Sequence, residues 1–287
     1  MKQKDPLVSI LTPAYNVENK VERYLKSILS QTYSNIELIF VNDGSIDNTE
    51  KIFLLYKNKF EKRGINVKYI YQENKGLSGA INTGLKMVTG KFLTWPDADD
   101  FLSNDSIEKK VNFLIKNKSI AVVSSDAYIY NESDLIKPIA LIASYYPKII
   151  EKNQFLLLLE EKSIFCPGCH LIRTKALKKV NPSLTIYESR LGQNWQLLLP
   201  LYYRYDHGFI NQPLFNYVVY KNSISHPDEN ISFLEKINRI NNYKKILVNT
   251  LKSIKMKENE YKKYRKIVNN NFFKKKKALF LSFLKEC

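Results

Sequence analysis

The strongest constraint on the fold is a regular alternation of short apolar runs with amphipathic segments over residues 7–130. The runs "LVSILT" (7–12) and "IELIFVND" (36–43) predict buried strands. Between them, "VERYLKSILSQ" (21–31) has apolar residues at helical spacing. Strands that alternate with helices at this spacing predict an α/β fold, a Rossmann-like and mostly parallel sheet flanked by helices.

Polar clusters follow four of the predicted strands. Their sequences are "TPAYN", "NDGSIDNT", "QENKGLSGA" and "PDADD", at residues 12–16, 42–49, 72–80 and 96–100. Each alone reads as a turn, but ligands of open parallel sheets bind beyond the carboxyl ends of the strands. We therefore expect the four clusters to converge on one site at one edge of the sheet.

The last cluster places three carboxylates, Asp97, Asp99 and Asp100, within four positions of a chain whose formal net charge is +17. Like charges this close raise one another's pKa unless a cation or hydrogen-bond donors neutralise them. Two interpretations compete. One is a solvated turn that caps a helix near Ser106, and the other is a divalent metal site for a phosphorylated ligand.

In this order, the clusters resemble the motifs of family 2 glycosyltransferases with the GT-A fold. The matching segments are "VSILTPAYN", a helix ending in "SQTY", "IELIFVNDGSIDNT", "ENKGLSGAINTGL" and "DADD". A looser match continues through "GCHLIRTKAL" and "GQNWQLLLP" to "PLFNYVVYKNSISH", so the resemblance covers about residues 6–226. It implies transfer of a sugar from a nucleotide-diphosphate donor, with Mn²⁺ or Mg²⁺ and with inversion at the anomeric carbon.

The resemblance also implies roles for single residues in binding the donor, expected to be a UDP-sugar. Tyr15 would stack on the nucleobase, since every base presents a π-face. Asp43 would accept a hydrogen bond from a uracil ring N–H, and Asp97 would lie near the ribose and uridine. The complete set of expected nucleotide-binding residues is Thr12, Pro13, Tyr15, Asp43, Asn74, Gly76 and Asp97.

For the metal and the diphosphate, the resemblance points to Asp99 as a metal ligand. His226 of "NSISH" is expected to join the metal or the diphosphate, and a solvent-facing histidine is the alternative. A basic residue often occupies the position of Ile81 in this family, so no side-chain phosphate clamp is expected from that helix. Lys75 is the alternative cation.

The general base is the point at which this chain departs from the family pattern. The family commonly places a Glu-Asp pair before a Trp at a helix start, but here Gln193 and Asn194 precede Trp195, and amides cannot accept the proton. A degenerate enzyme, a different base and a shifted alignment are the three interpretations, of which we favour the second. The catalytic candidates are Glu188 and Asp100, and the expected acceptor-binding residues are Arg190, Gln193, Asn194 and Trp195.

Other function classes fit the sequence less well. A sugar nucleotidyltransferase would carry a glycine-rich phosphate loop after the first strand, where "TPAYNVENK" has no glycine. A nucleic-acid binder would interleave basic residues with exposed aromatic residues, whereas here the excess charge lies in a tail and the sheet-edge motifs are acidic. We expect no nucleic-acid partner, and a degenerate nucleotide-sugar-binding homologue remains the alternative to an active enzyme.

The chain is expected to divide into a catalytic domain (1–228) and a basic helical C-terminal extension (229–287). Residues 252–287 contain 12 Lys or Arg against 3 Asp or Glu, a net charge of +9. Aromatic and aliphatic residues flank Lys274–Lys277, a pattern that suits an anionic lipid surface. The alternative is a tail helix packed on the catalytic domain with solvated lysines.

The expected location is the cytoplasm, at the inner face of the plasma membrane if the tail binds lipid. No apolar run reaches the roughly 20 residues that span a bilayer, and the N-terminal run is too short for a signal peptide. A lipid-linked saccharide acceptor would suit surface-polysaccharide (capsule) synthesis.

The "CPGC" pair at 166–169 could be a redox dithiol, half of a zinc site or a coincidence, and we favour coincidence. The segment "FINQPLFNYVVY" (209–220) has the pattern of two paired strands.

Overall fold

The structure is a computed structural model that describes residues 5–164, 166–189, 192–221 and 231–286. In chain order its elements are β1 (Val8–Ala14), α1 (Glu18–Leu29), β2 (Ile36–Asn42), α2 (Thr49–Lys62), β3 (Asn66–Tyr71), α3 (Gly76–Leu85), β4 (Phe92–Thr94), β5 (Phe101–Leu102), α4 (Ser106–Lys116), β6 (Val122–Asn131), β7 (Ala140–Leu141), α5 (Phe155–Leu159), β8 (His170–Arg173), α6 (Thr174–Val180), α7 (Gln193–Arg204), β9 (His207–Val219), α8 (Phe233–Ser253) and α9 (Glu258–Glu286). Short 3₁₀ turns cover Ile142–Tyr145 and Pro167–Cys169.

All the strands belong to one sheet with the order β3-β2-β1-β4-β8-β6-β9-β5, and β7 pairs with β6. The N-terminal strands β3, β2, β1 and β4 are parallel, which confirms the predicted α/β class. Beyond β4 the sheet is mixed, because β8 runs antiparallel to both β4 and β6 while β9 is parallel to β6. The parallel half is the part that carries the four polar clusters.

Every residue of β1 and β2 is buried, because helices cover both faces of this part of the sheet. On one face, α1 packs through an apolar stripe that includes Tyr24 and Leu25, and Phe53 of α2 stacks on Phe40 of β2. On the other face, α3 and α7 contribute Ile81 and Leu198 to a second core. The two layers fix the strand ends and so position the site at their edge.

A buried carboxylate joins the amino ends of the central strands. Glu37 of β2 accepts hydrogen bonds from Ser9 of β1, from the Lys68 ammonium of β3 at 2.8 Å and from the hydroxyl and N–H groups of Thr89. Burial raises its pKa, but the bonds from Lys68, Ser9 and Thr89 outweigh burial and leave the pKa lowered. This network holds the end of the sheet opposite the site.

The prediction of paired strands over residues 209–220 is wrong. Residues 209–219 belong to the single strand β9, which Tyr220 directly follows, and the pairing of β9 with β6 shifts register on both sides of Asp126. The shift accommodates Pro213, which cannot donate to a regular ladder and is tolerated where a bulge interrupts it. The sequence "NQP" therefore marks a bulge inside one strand and not a turn between two.

The C-terminal helices pack on the second core. α8 begins with a capping box formed by Ser232 and Glu235, and it contributes Leu247 and Leu251 to that core. α9 runs back along α8 and buries Val268 and Phe272. The expected boundary at residue 228 lies outside the described residues and stays a prediction. None of the helices described is both long enough and apolar enough to cross a bilayer.

We predict that Glu37→Gln destabilises the protein at pH 7 by about 1–3 kcal/mol, because an amide cannot pair with Lys68 and accept the same set of bonds. Since the folded pKa of Glu37 is lowered, its stabilisation is present above the unfolded pKa and is lost as pH falls through the folded value. Urea denaturation should therefore show the gap between variant and wild type narrowing below about pH 4.

The matched control is Glu61→Gln, which breaks only a surface pair with Lys57 and should change the unfolding free energy by less than about 0.5 kcal/mol. Equal urea midpoints for the two variants at pH 7 would contradict the role assigned to Glu37.

Candidate active site

The loops that follow β1, β2, β3 and β4 meet at the carboxyl edge of the parallel strands, as predicted. Ala14 is level with Asn42, and Asn42 is level with Tyr71, so the first three strands end together. Backbone bonds join the loops: the Asp43 N–H donates to the Ala14 carbonyl at 2.8 Å, and the Gln72 N–H donates to the Asn42 carbonyl at 3.0 Å. These contacts confirm the predicted convergence for the first three clusters, and the parallel pairing of β4 with β1 directs the fourth loop to the same edge.

Asp43 ties the second and third loops together. Its Oδ1 accepts hydrogen bonds from the Gln72 side chain at 2.6 Å and from the Lys75 N–H at 2.9 Å. Gly44 next to it has φ +75°, and a Cβ there would lie 2.9 Å from the Asn74 nitrogen. The close approach of the two loops therefore requires glycine at position 44. The other carboxylate oxygen of Asp43, Oδ2, receives no hydrogen bond from the described residues.

The first loop presents an aromatic face beside this carboxylate. Tyr15 is 49% exposed, whereas Thr12 and Pro13 are buried. The Thr12 hydroxyl is hydrogen bonded to the Tyr24 hydroxyl, so its side chain holds the strand end and is not open to a ligand. Asn16, with φ +50°, clips this loop to the next one by accepting from the Ile46 N–H at 3.0 Å. Of the three predicted residues here, Tyr15 has the accessible side chain.

The third loop leads into the N-terminus of α3. The exposed Asn74 accepts a hydrogen bond from the N–H of Gly76, which has φ +74° and begins the helix. Ile81 is fully buried in the second core, so α3 presents no cation at that position. Lys75 is exposed at the end of this loop.

The three acidic residues after β4 are crowded and poorly solvated. Burial, followed by the charge of Asp99, raises the pKa of Asp97 to about 8. Burial also raises the pKa of Asp99, against the opposing effect of Lys20 and Arg23. Asp97 and Asp99 are partly exposed, so both carboxylates remain open to a ligand.

These carboxylates fit the divalent ion that the resemblance implies. Mg²⁺ and Mn²⁺ prefer oxygen ligands, and Mg²⁺ sites typically use one or two carboxylates and complete the shell with substrate phosphates. Among the residues described, no group of three His, Cys, Asp or Glu side chains is arranged to hold a metal ion by itself. Asp99 and Asp97 are the available ligands, and His226 lies outside the described residues.

Asp100 has a different environment from its two neighbours. It is 2% exposed, and its Oδ1 accepts a hydrogen bond from the Val218 N–H of β9 at 2.8 Å. Burial and the charges of Asp99 and Asp97 raise its pKa well above the usual range. The buried carboxylate of Asp100 therefore anchors the acidic loop (residues 96–100) to β9, and its expected catalytic role stays a prediction.

Three residues that the sequence analysis missed complete the surroundings of Asp99. One terminal nitrogen of Arg23 donates to the Asp99 carbonyl and to the Tyr220 hydroxyl, both at 2.5 Å. The Lys20 ammonium lies 3.9 Å from Asp99 Oδ2 and 3.6 Å from the centre of the Tyr220 ring. The available signal was spacing: Lys20 and Arg23 are three apart on α1, so they share a face, and α1 directly follows the first site loop.

The predicted acceptor residues at the start of α7 are buried. Gln193, Asn194 and Trp195 are each less than 9% exposed, and the Trp195 ring packs edge-on against Tyr243. Asn194 Oδ1 accepts a hydrogen bond from the indole N–H of Trp95 at 2.8 Å. These three residues form the wall behind the acidic loop, in which Asn194 positions Trp95, the residue before Pro96. The acceptor role expected for them stays a prediction.

The loop that carries Glu188 is anchored on both sides. The side-chain amide of Gln196 exchanges two hydrogen bonds with the backbone of Tyr187, at 2.7 and 3.0 Å. The Ser189 carbonyl accepts from the Ser78 hydroxyl at 2.5 Å, in the first turn of α3. Glu188 therefore has a fixed backbone and an exposed side chain next to the site edge. Arg190 lies outside the described residues.

The "CPGC" cysteines and the neighbouring histidine are buried. Cys166 and Cys169 are unbridged thiols, and burial raises the pKa of Cys166 well above its usual value. His170 stacks on Trp95, with ring centres 6.2 Å apart. These residues support the acidic loop from beneath.

Comparison with known proteins decides the family. The sequence matches the profile described as "Glycosyl transferase family 2" over residues 9–180. The chain belongs to this family. It is 31% identical to glycosyltransferase GlyA of Streptococcus pneumoniae over 212 residues, which cover 74% of this chain and 28% of GlyA. It is also 34% identical over 164 residues to an uncharacterised glycosyltransferase of Haemophilus influenzae, covering 55% and 64% of the two chains.

Solved structures of other family-like enzymes share the fold. The structure of Staphylococcus aureus TarS 1–349 in complex with UDP-GlcNAc superimposes with a TM-score of 0.70 and 17% identity over 93% of this chain and 73% of that one. The mannosyltransferase PcManGT of Pyrobaculum calidifontis, in complex with GDP-Man and Mn²⁺, has a TM-score of 0.57 and 18% identity over 87% and 64% of the two chains. The predicted GT-A fold is confirmed. The match covers only 28% of the length of GlyA and 64% of the length of the Haemophilus influenzae relative.

We predict that Asn194→Leu lowers the free energy of unfolding by about 1–3 kcal/mol, because it leaves the buried indole N–H of Trp95 without an acceptor. Leucine has nearly the same volume, so the loss would report the hydrogen bond and not a cavity. Urea denaturation followed by tryptophan fluorescence measures it directly, since the chain has only two tryptophans, Trp95 and Trp195.

The same replacement at the exposed Asn58 of α2 is the control and should change stability by less than about 0.5 kcal/mol. If Asn194→Leu were as stable as Asn58→Leu, the positioning role of Asn194 would be lost.

Proposed function

We propose that this protein transfers a sugar from a UDP-sugar donor to a saccharide acceptor, with a divalent ion and with inversion at the anomeric carbon. The observation that carries the proposal is the arrangement at the carboxyl edge of the sheet: an exposed Tyr15 ring, the Asp43 carboxylate, and the two accessible carboxylates Asp97 and Asp99. Each occupies the position that the family motif assigns to donor or metal binding.

For the nucleotide, the surroundings of Asp43 support a uracil contact. Its Oδ1 is used by Gln72 and Lys75, whereas its Oδ2 receives no hydrogen bond from the described residues. An ionised carboxylate accepts hydrogen bonds only, so it suits the ring N–H of uracil. Tyr15 offers a stacking face beside it. The TarS complexes with UDP and with UDP-GlcNAc share this fold and agree with a uridine donor.

For the metal, we propose Asp99 as the principal ligand with Asp97 close by, and Mn²⁺ or Mg²⁺ as the ion. The ion, when bound, neutralises charge on the departing nucleoside diphosphate. The Mn²⁺ complex of PcManGT agrees with this assignment. Lys20, held over the Tyr220 ring, places an ammonium group near Asp99 and supplies from α1 the cation that position 81 of α3 lacks.

The chemical step needs a base near the acceptor hydroxyl. In an inverting transfer the acceptor oxygen bonds to the anomeric carbon while the bond to the diphosphate oxygen breaks, and the hydroxyl proton moves to a carboxylate. We propose Glu188 as this base, because its loop is anchored by Gln196 and Ser78 while its side chain is exposed. Asp100 is assigned to positioning the acidic loop.

The proposed acceptor is a lipid-linked saccharide of surface-polysaccharide (capsule) synthesis, used at the cytoplasmic face of the plasma membrane. The alternative is a homologue that binds a nucleotide-sugar and does not turn it over, which the amides Gln193 and Asn194 would suggest. The exposed Glu188 favours an active enzyme, because it supplies a carboxylate where the amides cannot act.

The donor-binding experiment is a thermal-shift panel of UDP, GDP, CDP and ADP with and without Mn²⁺. UDP with Mn²⁺ should raise the Tm most, because a ligand that binds only the folded state stabilises it. Asp43→Ala should abolish the preference for UDP, and Asp99→Ala should abolish the part of the shift that requires Mn²⁺. Asp99→Ala without ligand should keep a near-normal Tm, since it removes one of three crowded carboxyl groups.

Asp206→Ala, which removes an exposed carboxylate outside the site, is the control and should retain the full shift. A purine nucleotide that stabilises as well as UDP, or an Asp99→Ala protein with an intact Mn²⁺ effect, would overturn the donor assignment.

For the base, we predict that Glu188→Gln reduces turnover by roughly 10²–10⁴ while UDP binding is little changed. Turnover is measured as donor consumption with a saccharide acceptor, and binding by the thermal shift above. Glu151→Gln, which removes an exposed carboxylate paired only with Lys148, should be unaffected. A decrease of less than about threefold for Glu188→Gln would exclude it as the base.

A further inference from the structure

The distal end of the C-terminal helix pair carries an exposed apolar surface. Its residues, which we call the tail face, are Leu234 at the start of α8 and Phe273, Phe280, Leu281 and Leu284 of α9. Phe273 is 69% exposed, while its neighbour Phe272 is 2% exposed in the second core. The two aromatic residues of "NNFF" therefore have opposite roles, one in the core and one on the surface.

Packing determines which way the tail face points. Val268 and Phe272 are four residues apart and both buried, so they fix the rotation of α9 about its own axis. Phe273, Phe280 and Leu284 then lie within about 40° of one another on a different side of the helix, since successive residues turn by 100°. The alignment of these apolar residues thus follows from the docking of α9 and extends over three turns, with Lys276 and Lys277 between Phe273 and Phe280.

The start of α8 extends this stripe and holds it in place. The Phe233 ring packs against Phe283 and Phe280 of α9, with ring centres 4.6 and 6.5 Å apart. This contact supports the last turns of α9, while Leu234 beside it stays exposed. The tail face is therefore a supported surface formed by two helices.

Basic residues flank the apolar stripe. Of the four consecutive lysines 274–277, Lys275 pairs with Glu161, and no ion pair is formed by Lys274, Lys276 or Lys277 with the described residues. The whole segment from 252 to 287 has 12 basic and 3 acidic residues. An apolar stripe between unpaired lysines matches a surface with acyl chains at its centre and negative charge around them.

We propose that the tail face binds the surface of an anionic bilayer, with its Phe and Leu side chains among the acyl chains and Lys274, Lys276 and Lys277 at the lipid phosphates. A second copy of this chain is a poorer occupant, because it would bring the same lysines against one another. Long lysine side chains reach the headgroups while their stems cover apolar surface. Each lysine near such a surface adds a similar increment of binding.

The inference rests on the proposed function only for the identity of the acceptor found at that membrane. Binding to the bilayer needs neither donor nor metal, so the lipid-binding proposal and the proposed sugar transfer can fail separately. The UDP thermal shift of every variant below is measured alongside lipid binding, and an unchanged shift shows that the fold and the donor site are intact.

The experiment is co-sedimentation of the full chain with vesicles of phosphatidylcholine alone and of phosphatidylcholine mixed with phosphatidylglycerol. Binding is expected at low salt to the mixed vesicles only, and it should weaken as salt is added. The triple variant Phe273→Ser, Phe280→Ser, Leu284→Ser should reduce the partition coefficient at least tenfold. The matched control Leu54→Ser, Leu55→Ser removes exposed apolar residues of α2 and should bind as the wild type does.

The charge is tested by Lys274→Gln, Lys276→Gln, Lys277→Gln, which should weaken binding to the mixed vesicles by about a hundredfold. Its control makes the same change in net charge at three exposed lysines elsewhere, Lys86, Lys91 and Lys118, and should weaken binding much less. The comparison separates a local surface from the general attraction of a basic protein.

The proposal is overturned if the wild type ignores the mixed vesicles at low salt, or if the tail-face variant binds as well as its α2 control. It is also overturned if light scattering shows a dimer of the wild type that the tail-face variant abolishes while neither protein binds lipid. In that case a second copy occupies the surface.

Discussion

The crowding of carboxylates after β4 is the interaction on which the rest of the site depends. Asp97, Asp99 and Asp100 could not lie in a partly buried loop without compensation, and each is compensated differently. Asp100 is bonded to the Val218 N–H, Asp99 has the cations of α1 beside it, and Asp97 keeps a pKa raised to about 8. The compensation is incomplete in a way that a divalent ion would complete, which is the physical basis for proposing that these carboxylates bind a metal ion together with the donor.

The surrounding elements act mainly by holding this loop. Asn194 fixes the Trp95 indole, His170 stacks beneath it, and Arg23 grips the Asp99 carbonyl together with Tyr220. An amide at position 194 accepts the indole hydrogen bond, and it does so without burying a fourth carboxyl group near those of Asp97, Asp99 and Asp100. The amide that replaces an acid of the family's pair therefore has a structural role here, as the acceptor for the Trp95 indole. The proposed base is instead Glu188, in the anchored loop outside this wall.

The parallel half of the fold and the location of the site could be predicted from sequence, because apolar periodicity and strand-end polarity are local properties. Tyr15, Asp43, Asp97 and Asp99 became candidates for the site in this way, with the help of the family motif. Lys20, Arg23 and Tyr220 were not. They come from α1 and from the residue after β9, nearly 200 residues apart, and they look like ordinary surface residues in the sequence. The error at residues 209–220 arose because Pro213 signals a turn as strongly as a bulge.

The amino-acid sequence by itself determined the class of fold, the edge at which the candidate site lies and the acidic, aromatic and glycine residues proposed to form the donor site. Those features depend on short stretches whose hydrophobic pattern and turn chemistry need no distant partner. Only the tertiary structure decided which side chains are accessible: Asp99 is open and Asp100 closed, Asn194 faces inward and Glu188 outward, Phe272 is core and Phe273 surface. Adjacent residues of the same type acquire opposite roles because burial depends on what packs against each one, and those partners come from remote parts of the chain.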